Sequence, residues 1–178
     1  MVGGSMRYQD CADALQADDG AWTSPSARQL AEANVNPATG LASDYLNHFN
    51  EAIMLLEMLS SFPECRDDFL GWQAKSYREH FAGSRFKSRD IVVAAYERAN
   101  PQARECLDAL AGIMTEVLET TRAAMRSDLP AEAAHRLAGR TAAWLRPLVT
   151  RAAAVINGDA SEEFRAAPQA AIDRLMRP

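Results

Sequence analysis

From Ser43 to Leu59 the chain reads S-D-Y-L-N-H-F-N-E-A-I-M-L-L-E-M-L, with apolar residues returning every three or four positions. That period predicts a helix with one buried stripe. Ser43 supplies an N-cap, and Asp44 sets a negative charge in the first turn, where the helix dipole favours it. Ser60-Ser61-Phe62-Pro63 ends the element. Ser61-x-x-Glu64 then reads as a capping box for a second helix, running to Ala82 and stopping at Gly83. Phe62, Cys65, Phe69, Trp72 and Tyr77 are expected on its inner side, with Arg66, Lys75 and Arg78 outward.

Ser88 can cap a third helix from Arg89 to Ala99. Asn100-Pro101 pairs an N-cap with a proline at the first helical position and opens a fourth, to Arg126. At 1.5 Å per residue that helix is about 38 Å long. Asp128 and Pro130 open a fifth, to Ile156, closed by Asn157-Gly158, with Leu137, Thr141, Trp144, Leu145 and Leu148 on its stripe. Pro147 removes one of its backbone bonds and predicts a kink near Ala143. A last helix is expected from Ser161 to Met176, carrying Phe164, Ile172 and Leu175.

No stretch alternates apolar and polar in the manner of a strand. The predicted fold class is therefore all-α, a single-domain helical bundle of about five to six helices. Residues 1–40 are broken by D-D-G, T-S-P-S and N-P-A-T-G and hold only one short helical pattern, Ser26 to Ala33. They are expected to form a poorly structured N-terminal segment ahead of a bundle domain at 41–178.

Composition agrees with that picture. The 178 residues are 48% hydrophobic, 24% charged and only 7% aromatic, and the alanine-rich balance favours helices over sheets. Cys11, Cys65 and Cys106 are far apart and lack a C-x-x-C pair, which argues against a disulfide framework or a cysteine zinc site and for a reducing, cytoplasmic setting. No window approaches the roughly 18 apolar residues of a membrane span, and no secretory leader is expected. The net charge of −5 is uneven: residues 1–70 hold 11 acids against 3 bases, and residues 71–178 hold 13 against 16. An acidic chain of this kind disfavours non-specific nucleic-acid binding.

Three sets of residues could carry chemistry. Asp44, His48 and Glu51 fall on successive turns of one helix face. A carboxylate beside an imidazole raises its basicity, which suits a general base, a phospho-acceptor or a metal ligand. Such a histidine on a bundle would permit phosphotransfer, although Phe49-Asn50-Glu51 offers none of the basic and small neighbours that role favours. The plainer alternative is a histidine pairing with its own helix neighbours.

A divalent metal could be held by His48, Glu51, His80, Glu132 and His135, the only positions where histidines and acids keep company. Of these, Glu132-x-x-His135 alone has the order used by carboxylate-bridged di-iron bundles, so no cofactor is firmly implied. The third set is the basic and aromatic run from Lys75 to Arg89, where Lys75, Arg78, Arg85, Lys87 and Arg89 could bind an anion or a phosphate backbone. Its alternative is a solvated face with the aromatics turned inward.

No G-x-S-x-G elbow, phosphate-binding glycine loop or dinucleotide fingerprint is present. Cys65, Cys106, Met54 and Met58 read as core fillers, although methionine-rich faces also form partner grooves. The sequence therefore favours a non-enzymatic, adaptor-like interaction module with a protein partner, able to form a homodimer and independent of membranes. Its rivals are a metal-binding or phosphotransfer bundle centred on His48, and anion or nucleic-acid binding through Lys75 to Arg89.

Overall fold

A computed structural model describes residues 25–84, 87–127 and 129–159. They form seven α-helices: α1 Ala27–Glu32, α2 Leu46–Met58, α3 Cys65–Gly71, α4 Tyr77–Ala82, α5 Arg89–Glu97, α6 Pro101–Arg126 and α7 Ala131–Asn157. A 3-10 turn at Ser43–Tyr45 leads into α2. Among the described residues there is no strand, only an isolated bridge between Val35 and Ala42.

Ser43, expected to cap α2, makes no cap bond and lies instead in the 3-10 turn that precedes it, whereas two other caps form where the sequence places them. The Asn100 side chain accepts the Ala103 N–H ahead of Pro101, so α6 starts where a side-chain acceptor replaces a missing helical partner. Gly158 adopts a left-handed conformation and closes α7, which continues through Pro147 as one element.

α7 lies between α2 and α6 and packs against both, while α3 touches α2 and α6 on the other side. The four surround a core that includes Phe49 and Ile53 of α2, Phe69 of α3, Met114 and Leu118 of α6, and Leu145 and Ala152 of α7. Alanines 134, 138, 142 and 152 are buried along α7, and such small side chains allow close helix approach. Inside the α6–α7 seam the Thr121 and Thr141 hydroxyls are hydrogen-bonded at 3.0 Å.

The second predicted helix is in fact two. Glu64 opens α3 without a side-chain cap, so the Ser61 capping box does not form. The helix ends at Gly71, and Trp72 turns extended. Ser76 then builds a capping box with Glu79 and starts α4. The intervening strap, residues 72–76, is stable because its polar groups find partners on α2, on α6 and in the 3-10 turn ahead of α2. Arg122 of α6 donates to the Trp72 carbonyl. The Lys75 N–H donates to His48 Nε2 at 3.1 Å, and the Tyr45 hydroxyl donates to the Lys75 carbonyl at 3.0 Å. Helix periodicity reports none of these distant bonds.

Residues 25–42 contribute more than their punctuation suggests. Ala33, Val35, Thr39, Leu41 and Ala42 are buried. Thr39 Oγ1 donates to the Ile156 carbonyl at 2.6 Å, and the Asn100 N–H donates to the Thr39 carbonyl at 3.0 Å, tying this segment to the ends of α7 and α6. Residues 1–24, Asp128 and the helix expected from Ser161 to Met176 lie outside the described residues.

Four apolar side chains expected in the core stand outside it: Met54, Met58, Phe62 and Trp144 are the exposed large hydrophobics among the described residues. On α2 the buried set Phe49, Ala52, Ile53 and Leu56 centres on one side, and helical rotation carries Met54 and Met58 to the opposite side.

Gly112 sits in mid-α6, and open space surrounds the position where a Cβ would lie. Gly112→Ala is expected to raise stability by about 0.5–1 kcal/mol, since glycine loses more backbone freedom on becoming helical. Urea unfolding would show this as a higher midpoint at unchanged slope; an unchanged or lower midpoint would contradict it.

Candidate functional site

α2 offers two opposite faces for function, an inner one built on His48 and an outer one built on its exposed apolar residues. His48 is buried. Its ring stacks on Trp72 with centroids 4.6 Å apart, and the Trp72 indole N–H donates to the His48 carbonyl at 3.2 Å. Because Nε2 accepts the Lys75 N–H, the ring is neutral and its own proton sits on Nδ1. Burial, with His80 and Lys75 nearby, pushes its pKa down to about 4.

The hydrogen bond at its Nε2 goes to the strap and not to either of the two carboxylates expected beside it. Asp44 is partly buried and accepts from Asn34 Nδ2 at 3.1 Å, and Glu51 is exposed. His48 thus works as an inward clamp on the strap through its Nε2 lone pair. Its acceptor is already engaged.

His80 lies 5.9 Å from the His48 ring and edge-on to Tyr45. Burial and Lys75 lower its pKa, with Asp44 opposing them. His135 is half-buried on α7, and Glu132 is exposed and paired with Arg136 at 3.2 Å. Among the described residues no three His, Cys, Asp or Glu side chains converge in a way that could hold a metal ion. The structure therefore does not bring His48, Glu51, His80, Glu132 and His135 together.

The basic run is also dispersed. Lys75 belongs to the strap, Arg78 pairs with Glu97 at 3.3 Å, and Arg89 lies 3.6 Å from Asp90. Lys87 is exposed, and Arg85 lies outside the described residues. Arg66, expected to point outward, instead reaches across to donate to the Met125 and Ser127 carbonyls at the end of α6.

A shallow cleft of about 560 Å³ opens where the strap and α4 meet α6, lined by Tyr45, Lys75, Arg78, Tyr96, Asp108 and Gly112 among others. The Tyr96 hydroxyl donates to both oxygens of Asp108, at 2.6 and 2.7 Å. Burial first, then that carboxylate, pushes Tyr96 up to about 12. Burial likewise raises Tyr45 and Tyr77. These phenols hold their protons and are fixed by partners, which makes them walls rather than acid–base catalysts.

The outer face of α2 is of a different kind. Met54 and Met58 are one turn apart and are 50% and 37% exposed. The Phe62 N–H bonds the Met58 carbonyl at 2.9 Å, so the helical turn persists and brings Phe62, 47% exposed, into the same row. Glu51 and Glu57 lie three residues before and after Met54, about 60° around the helix on either side. Glu57 is held by Arg146 of α7 at 2.5 Å. The sequence holds the signal for this face: the methionines are out of phase with Phe49, Ile53 and Leu56.

Fold and sites together define an all-helical bundle with a buried, hydrogen-bonded histidine and three exposed large apolar side chains at and just beyond the end of α2. Among the described residues no helix is long and apolar enough to cross a membrane. Comparison of the chain with protein-family models, with curated proteins and with solved structures finds no match.

Proposed function

We propose that this chain is a non-enzymatic interaction module that docks another protein on the outer face of α2. The observation that carries the reading is the row Met54, Met58 and Phe62: three of the four exposed large hydrophobics among the described residues fall on the outer face of α2 and the turn that ends it. Clustered apolar exposure marks interaction sites more often than scattered residues do. Flexible methionine side chains adapt to varied apolar partners. A cytoplasmic setting suits this reading, since Cys65 and Cys106 are free thiols.

Panning a random peptide library on the wild-type protein tests it. Recovered peptides should bind wild type and lose binding to the Met54→Ser/Met58→Ser/Phe62→Ser variant. That variant should keep its fold, because exposed substitutions of this kind usually change stability by only about 0.5 kcal/mol each. Peptides that bind the folded variant as well as wild type would overturn the reading.

A further inference from the structure

We infer that the partner segment this face accepts is a basic amphipathic helix; the inference rests on the docking role proposed for the Met54–Phe62 row. The first argument is charge. From Gln29 to Cys65 the sequence contains no lysine or arginine but includes Glu51, Glu57 and Glu64. All three are exposed, and they border the apolar row on both flanks and beyond its Phe62 end. Asp67 and Asp68 in the first turn of α3 are two further exposed acids in the segment that follows the row. Arg146 meets this rim from α7 and is taken up by Glu57, whose carboxylate holds its pKa above the usual arginine value. A partner with lysines or arginines beside its apolar stripe completes the pairing, whereas phosphate groups of lipid or nucleic acid are repelled.

The second argument is geometric. Met54 to Phe62 covers two helical turns, about 12 Å along the axis. A helix with apolar residues at i, i+3 or i+4, and i+7 meets such a row turn for turn. The backbone of α2 bonds within its own helix, so an incoming strand would find no ladder to join and would bury its own unpaired groups. A helix arrives with its backbone already satisfied. Contact is then made by side chains alone, with methionine and phenylalanine in the centre and carboxylates at the rim.

The test uses two fluorescent 18-residue helical peptides with identical leucine stripes, one flanked by lysines and one by glutamates. Wild-type protein should bind the lysine peptide at least about tenfold more tightly, with affinity falling as salt rises. The Glu51→Lys/Glu64→Lys variant should lose most of that preference. Equal binding of the two peptides, or a preference indifferent to the double substitution, overturns the basic-partner inference while leaving the face itself standing. If lysine-peptide affinity survives Met54→Ser/Met58→Ser/Phe62→Ser, the docking face itself is refuted. If neither peptide binds, the inference falls and the panning result alone decides the face. Sedimentation of the protein alone covers the remaining occupant: a dimer dissolved by the triple substitution would name a second copy and overturn the inference.

Discussion

Acidification from pH 6.5 to pH 4 is expected to cost the wild-type protein about 3 kcal/mol more than it costs a His48→Gln variant. His48 titrates near 6.5 in an unfolded chain and near 4 in the fold. A depressed pKa means that the folded state resists protonation. The stabilisation from the neutral ring is therefore complete above pH 6.5 and is lost as pH falls towards 4. Protonated Nε2 would point a hydrogen at the Lys75 N–H it now accepts from. Lys75 and His80 add positive charge from the strap and α4, while Asp44 lies in the 3-10 turn before α2 and Glu51 one turn further along α2. Glutamine keeps an acceptor but does not titrate, and the other carboxylates respond alike in both proteins. Urea unfolding across this interval measures the difference, and amide exchange at Lys75 reports the strap locally. Parallel losses in the two proteins would show that the clamp does not select the neutral ring.

Gly40→Ala is expected to cost about 3 kcal/mol, against about 1 kcal/mol for Gly158→Ala. Both glycines have φ near +75, so the left-handed strain is shared. They differ in what a Cβ would meet. At Gly40 it would fall 2.8 Å from the Ala99 Cα and 3.1 Å from the Ala95 carbonyl oxygen, backbone atoms that cannot move aside without separating the 36–42 loop from α5. At Gly158 it would meet only the Thr39 Cγ2, at an ordinary 3.5 Å. Thermal unfolding of the two variants separates strain from contact; equal losses would show that the close approach contributes nothing.

Much of the fold was legible because helix-forming patterns are local. α2, α6 and α7 begin and end within a few residues of where stripe and caps place them. α5 follows Ser88 as expected, although Ser88 itself makes no side-chain cap bond. The break after Gly71 was half visible: Ser76-x-x-Glu79 has the same S-x-x-E form as Ser61-x-x-Glu64, and only the later box forms. What holds the break open is a set of bonds from the strap to His48, Tyr45 and Arg122, 27 to 50 residues away in sequence. Phe62 and Trp144 went astray for a related reason. Periodicity assigns a residue to a stripe but cannot say how far that stripe extends before neighbouring helices stop covering it.

The sequence by itself determined an all-helical chain, the Asn100-Pro101 start of α6, the Gly158 stop of α7 and the acidic character of its first 70 residues, since each depends on residues only a few positions apart or on composition. Only the tertiary structure decided that His48 faces the strap, that its Nε2 accepts the Lys75 N–H instead of pairing with Asp44 or Glu51, and that Met54, Met58 and Phe62 are exposed together. Those outcomes depend on which helix packs against which side of α2. That choice is made by shape and burial summed over the whole core, which no local pattern contains.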